Sequence, residues 1–288
     1  MKSPRQQIDV HSTEFRTEVP DIFADIPWVR YGETRRTNPE DDALSGSVAQ
    51  ADLPLDATFD LQEPPGDRAV FKSVERIRSA NRIAALLGKL GLHELARPRP
   101  EYATGLITDE QFDHICSTRE DRAFADAVHT RLNGRGIMFS PADCPLVVVA
   151  DPTKYHESLT VIHAGYKSLG EDIVGLTLGQ LPLTTKNAHV FITPHALNNY
   201  PVYGAPLKNL ENSPVTRDHL GPTDDKGNRN LNFSSAIIAR LGDFGIRHSH
   251  IAVSPDDSLT DPTLFSQRNW QQKGVNGRNA IMAGIVRH

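Results

Sequence analysis

Apolar β-branched residues run almost unbroken through residues 137–149 and again through 159–163. That pattern predicts strands buried on both faces. Residues 73–91 carry the other strong period. Ser73 can cap a helix, Val74, Ile77, Ala80, Ala84, Leu87 and Leu90 then recur at three- and four-residue steps, and Gly91 closes the run. Residues 121–132 have helix-forming composition. A helix is expected over 168–181, stopped by Pro182, then a strand over 188–193. Turn-formers crowd 206–230 and predict a long loop, followed by a helix over 234–243 and a strand over 246–253. The apolar stretch 279–286 fits either a helix or a strand. Residues 1–70 are rich in Pro, Asp, Glu and Gly and predict loops with a strand near 27–35, the first 26 residues forming a flexible segment. Strands and helices alternate through the second half with no linker between them, which favours one domain over 27–288.

Composition narrows the function classes. The 288 residues carry a net charge of −5, so neither nucleic acid nor an anionic membrane is expected as the main partner, since both reward a basic surface. Only two cysteines, Cys116 and Cys144, are present, which argues against a disulfide-stapled secreted fold. The first residues lack the apolar stretch of a signal peptide, and the run at 145–150 is far too short to span a bilayer. A cytoplasmic chain with reduced thiols is the expectation.

The chemistry concentrates in SPADCPLVVVADPTKYHESLTVIHAGYK, residues 140–167. Pro141 and Pro145 flank Asp143 and Cys144, which places both in a rigid turn just before a strand. His163 ends the next strand, nineteen residues after Cys144, so neighbouring strands would put thiol and imidazole on one sheet edge. Gly165 then opens a helix whose first N–H groups favour an anion. A thiolate and an imidazole can together bind zinc or form a base-activated nucleophile. The pair also fits a small core residue beside a satisfied histidine. Among the remaining histidines, His195 stands out because it follows Pro194 in a turn.

These motifs resemble the laccase-domain family, also called YfiH-like or multicopper polyphenol oxidase-like. Residues 142–152, ADCPLVVVADP, are similar to its A-D-C-x-P segment, and HAGYK at 163–167 to its H-A-G-W-R. The order continues through SANRIAALLGKLGL (79–92), ADAVHT (125–130), ITPHALNNYPVYG (192–204), NLNFSSAIIARLGDFGI (230–246) and LFSQRNWQQKGVNGR (264–278). The resemblance implies an α+β fold, a single domain built as a layered α/β/β/α sandwich with mixed sheets. It further implies a zinc enzyme, with copper as the family's alternative metal, that phosphorolyses adenosine and related purine nucleosides and also deaminates adenosine. Its partners would then be a small purine nucleoside and phosphate. By the same resemblance Cys144 and His163 are metal ligands, and the third ligand falls at Gln111 or at His114 nearby. Phosphate or substrate contacts fall to Arg35 or Arg36, Lys167, Arg268 and Arg278, with Asp143, Tyr166 and His195 as further site residues. Tyr166 and Lys167 stand where the family has Trp and Arg, and Lys lacks the bidentate fork of Arg. Two other readings stay open: a metal-free Cys–His hydrolase, and a non-catalytic descendant that binds a nucleotide-like ligand.

Overall fold

The computed structural model describes residues 14–35, 83–100, 104–112, 124–154, 157–182, 185–197, 200–269 and 278–287. Alternating side chains on paired strands build two stacked sheets. The first has five strands in the order β1-β2-β13-β6-β3: Glu14–Arg16, Val29–Arg35, Ile281–Ile285, Arg135–Phe139 and Glu94–Ala96. The second has six in the order β12-β9-β7-β8-β5-β4: Ile251–Val253, His189–Ile192, Leu146–Asp151, Ser158–His163, Ala127–Thr130 and Leu106–Ile107. Both mix parallel and antiparallel pairs. A short antiparallel ribbon, β10 (Tyr200–Val202) with β11 (Arg229–Leu231), stands apart.

The period-two rule sorts the core into layers. Leu146, Val148, Ala150, Leu159 and Val161 point from β7 and β8 towards Ile137, Phe139, Ile281 and Ala283 of the other sheet. Val147, Val149 and Ile162 point the opposite way, into helices α3 (Tyr166–Gly170), α4 (Ile173–Gln180), α5 (Gly204–Asn212) and α6 (Phe233–Asp243). Met138 and Met282 face outward against α1, residues 83–89. The result is helix, sheet, sheet, helices: the α/β/β/α sandwich expected from the family resemblance.

Several local expectations change. The run 137–149 is two strands in different sheets, because the chain turns at 140–145 and crosses from β6 to β7. Residues 124–130, within the stretch of helix-forming composition, lead into strand β5; its four residues are all buried beside β8, and that tertiary pairing overrides the helix preference of alanine. The segment 168–181 forms two helices, broken at Asp172, whose φ of 62 is left-handed and whose side chain caps Gly175 N–H. The long loop 206–230 instead contains most of α5, which buries Leu207 and Leu210 on one face. A strand and the buried Phe23 and Ile26 fall within the segment 1–26 expected to be flexible. The apolar stretch 279–286 is the strand β13.

Of the predicted helix 73–91, residues 73–82 lie outside the described residues. Its described part buries Ile83, Leu86 and Leu90, while Ala84 is exposed, so the core face is rotated from the predicted stripe. Gly91 ends it at φ 68, with Leu92 N–H donating to the Leu87 carbonyl and Gly91 N–H to that of Gly88, a Schellman closure.

Gly284 in β13 shows how tightly the outer layer closes. An added Cβ there would lie 2.7 Å from the Arg135 carbonyl oxygen and 2.6 Å from a Leu92 methyl. Gly284→Ala is therefore expected to destabilise the fold by about 1–3 kcal/mol through overpacking. A lowered urea midpoint at unchanged slope is the expected readout. Equal midpoints would show that the contact of β13 with Leu92 and Arg135 has slack at this point.

Candidate active site

The turn at 140–145 is fastened from several directions. Asp143 is 3% exposed, and its carboxylate accepts from the Ser258 hydroxyl at 2.8 Å and from Arg268 N–H at 2.9 Å. Its carbonyl accepts Ala196 N–H, while the Pro141 carbonyl accepts Asn279 N–H and the Pro145 carbonyl accepts Ala164 N–H. With both prolines restricting φ, Cys144 is held at the corner where the chain changes sheets. It is a free cysteine and only partly buried.

His163 reaches the same corner from β8. This strand pairs with β7 on one side, Leu146 opposite His163, and with β5 on the other. Asp126, just before β5, is fully buried and lies 2.8 Å from His163 Nδ1 through its Oδ1, while its carbonyl accepts His163 N–H. The ring stacks on Phe139 of the other sheet at 5.9 Å. Nδ1 is committed to Asp126, and His163 Nε2 and Cys144 Sγ both lie within 3.5 Å of the point where a Gly165 Cβ would sit, so the second ring nitrogen and the thiol are neighbours. Burial pushes the His163 pKa down, but the hydrogen bonds to Asp126 and Cys144 outweigh it and hold the group at about 9. Gly165 allows this approach: a Cβ there would sit 3.1 Å from His163 Cε1 and 3.4 Å from Cys144 Sγ.

The pair opens on a cleft of about 370 Å³. Tyr166 and Tyr200 stand 5.9 Å apart on its wall, with Lys167, Arg268 and Arg278 around it. The Arg268 guanidinium lies over the Tyr200 ring at 4.6 Å and donates to the hydroxyls of Tyr203 and Tyr200 at 2.9 and 3.2 Å. Burial is the main cause that raises the Tyr200 pKa, so its hydroxyl stays protonated at neutral pH.

Seven residues singled out in the sequence thus meet in one cleft: Asp143, Cys144, His163, Tyr166, Lys167, Arg268 and Arg278. Three others do not line it. Gln111 is exposed on the short helix α2 (Asp109–Phe112), where its carbonyl oxygen accepts Thr108 N–H. Asp109 of that helix accepts from the Thr130 hydroxyl at 2.6 Å, so parallel pairing of β4 with β5 carries the chain to the far end of β5 from Asp126. Arg35 is consumed by carboxylates, contacting Glu33, Asp256 at 2.5 Å and Asp261 at 3.0 Å. Its donors serve the fold rather than a phosphate. His195 is fully buried; its Nδ1 donates to the Thr193 carbonyl at 2.6 Å and its Nε2 accepts from the Ser234 hydroxyl at 2.7 Å. Arg36 and His114 lie outside the described residues.

Asp126, Tyr200 and Gln267 complete the cleft and its support without having been singled out. A signal for Asp126 is present: a carboxylate between Ala125 and Ala127 in an otherwise buried stretch needs a charged or donor partner.

Residues 106–286 match the multi-copper polyphenol oxidoreductase laccase family, and the chain belongs to it. No curated protein sequence is recognisably similar to it. The fold is shared with solved structures, among them these three. The hypothetical protein YfiH of Bacillus licheniformis is 18% identical with a TM-score of 0.70, covering 94% of this chain and 98% of its own. YlmD from Geobacillus stearothermophilus is 18% identical with a TM-score of 0.69, covering 95% and 99%. Protein NMB0706 of Neisseria meningitidis, of family DUF152, is 13% identical with a TM-score of 0.68, covering 96% and 100%. No helix among the described residues is long and apolar enough to cross a membrane.

His195 yields a pH signature. Burial lowers its pKa from 6.5 to about 4. The folded state therefore binds fewer protons than the unfolded state between those values, so stability rises with pH there and is lost as pH falls through the window. The loss is on the order of 3 kcal/mol for this one group. His195→Asn is expected to flatten the stability difference between pH 7 and pH 4.5 by that order, measured by urea unfolding. Parallel pH curves for the two proteins would show that another group carries the acid sensitivity.

Proposed function

We propose that the cleft is the active site of a zinc-dependent purine nucleoside phosphorylase acting on adenosine, with adenosine deamination as a second activity. One observation carries this reading: a sulfur and an Asp126-oriented imidazole converge in a cleft that also holds Lys167, Arg268 and Arg278 and two tyrosine rings. Cations suit phosphate, and flat aromatic walls suit a purine.

The donors at the cleft suit zinc. One thiolate and one imidazole nitrogen are preferred zinc ligands, and the carboxylate behind His163 is the usual orienting partner of a ligating histidine. Among the described residues no third His, Cys, Asp or Glu joins them. By motif order alone His114 is the remaining candidate for that place, since Gln111 is exposed on α2 and amide side chains are poor zinc ligands. Nitrogen and sulfur donors also suit copper, the metal in the family's name, and metal analysis separates the two. When bound, the ion supplies positive charge that polarises a phosphate oxygen or lowers the pKa of a water.

The chain's own groups do the rest. Arg268 is pre-positioned by Tyr200, Tyr203 and the Asp143 tether, so its charge meets phosphate without reorganisation. Lys167 and Arg278 add charge at the same cleft. Phosphate so held attacks the ribose C1′ as the bond to the base breaks. Tyr166 and Tyr200 flank the leaving base and limit its contact with water. Asp126 fixes the His163 tautomer and ring plane.

A second reading has its own observation. Asp126, His163 and Cys144 stand in the order of orienting acid, base and nucleophile, which is the arrangement of a thiol hydrolase.

Metal-replete protein is expected to release adenine from adenosine only when phosphate is present. Cys144→Ser should remove bound zinc and lower that rate by at least about 100-fold, since catalysis and metal retention share the sulfur. Zinc-free protein whose Cys144 alkylates rapidly, with no phosphate-dependent release, would transfer the assignment to the hydrolase. Asp126→Asn should weaken zinc binding by about 10–100-fold with the fold intact by circular dichroism. Unchanged affinity in a chelator competition would remove Asp126 from the metal's support.

A further inference from the structure

Gln267 lines the same cleft as Cys144 and His163. Its Oε1 is buried and has no hydrogen-bond partner among the described residues. The backbone around it is fixed on both sides. Phe265 N–H donates to Asn279 Oδ1 at 3.0 Å, and Asn279 Nδ2 donates back to the Phe265 carbonyl at 3.2 Å. Arg268 N–H is bound by Asp143, and Asn269 Nδ2 donates to the Leu259 carbonyl at 2.7 Å. Every neighbour of Gln267 along this stretch is thus anchored, while its own carbonyl oxygen is left without a donor. A buried acceptor of this kind carries a desolvation cost that a ligand donor removes.

We propose that Gln267 reads the base, selecting a purine with an amino group beside a ring-nitrogen acceptor. This rests on the nucleoside reading of the cleft. A carboxamide offers an acceptor and a donor side by side, a geometry that matches the 6-amino group and N7 of adenine. Oε1 accepts from the amino group and the amide nitrogen donates to N7. Hypoxanthine places an oxo acceptor where adenine has the amino group, so it sets acceptor against Oε1. A site built to bond a polar group rejects the analogue that leaves it unpaired. Gln267 is accordingly a specificity residue, separate from the Cys144–His163 pair.

The test compares adenosine, inosine and 7-deazaadenosine, which lacks the N7 acceptor, on wild-type protein, Gln267→Leu and Gln267→Glu. Both kcat/KM with phosphate and calorimetric binding without it are measured. Wild type is expected to favour adenosine over inosine, and Gln267→Leu to narrow that ratio by about 10- to 100-fold. Gln267→Glu keeps the acceptor and loses the donor, so the binding preference for adenosine over 7-deazaadenosine should be lost. Equal losses for adenosine and inosine in Gln267→Leu would assign the contact to the ribose and overturn base reading, as would an unchanged ratio. Binding that prefers adenosine without turnover would uphold Gln267 while removing phosphorolysis. Turnover indifferent to the base would do the reverse.

Discussion

The site depends on one strand-pairing event: β8 lies antiparallel between β5 and β7. That register sets His163 between the backbone of Leu146 and the carboxylate of Asp126, and it turns the imidazole into the layer between the sheets, against Phe139. A slip of one residue would exchange the two faces of β8 and send the imidazole towards the helices. The hydrophobic faces enforce the register, since Leu159 and Val161 must meet one core and Ile162 the other. Packing therefore holds a titratable group in place within a layer that is otherwise apolar.

Buried charge is used in two ways. Around Arg35, three carboxylates close on one guanidinium, and the cluster joins β2 of one sheet to the loop after β12 of the other. Around His163, burial opposes charge while Asp126 and Cys144 favour it, and the outcome faces an open cleft. A buried ionic group is expensive to keep. The Arg35 cluster ties sheets together, whereas the His163 cluster lines a cleft; perturbed groups of the second type concentrate at functional sites.

Much of the site was legible because its signals are local. Pro141 and Pro145 mark the turn, and the buried runs on either side mark β7 and β8, so Cys144 and His163 could be paired from sequence alone. The layered fold followed from family resemblance, and side-chain alternation along β7 and β8 accounts for it. What was not legible depends on contacts distant in sequence. Asp126 reads as part of a helix-prone stretch until β8 pairs beside it. Arg35 resembles a phosphate ligand until Asp256 and Asp261 fold across it. Gln111 takes the place of a ligand in the motif order, yet strand direction carries it to the other end of β5. Gln267 has no pattern at all; only the missing partner of a buried oxygen exposes it.

The position of β13 has a consequence for how the protein is made. This last strand inserts between β2 and β6, which meet only through it, and Asn279 just before it fastens both the Pro141 carbonyl and Phe265. During synthesis β2 and β6 keep unpaired facing edges until residues 281–285 emerge. Asn279 fastens the corner that holds Cys144 in the same step. A half-made chain thus carries two open strand edges that favour edge-to-edge association, and one late docking step both closes them and fastens the Cys144 corner.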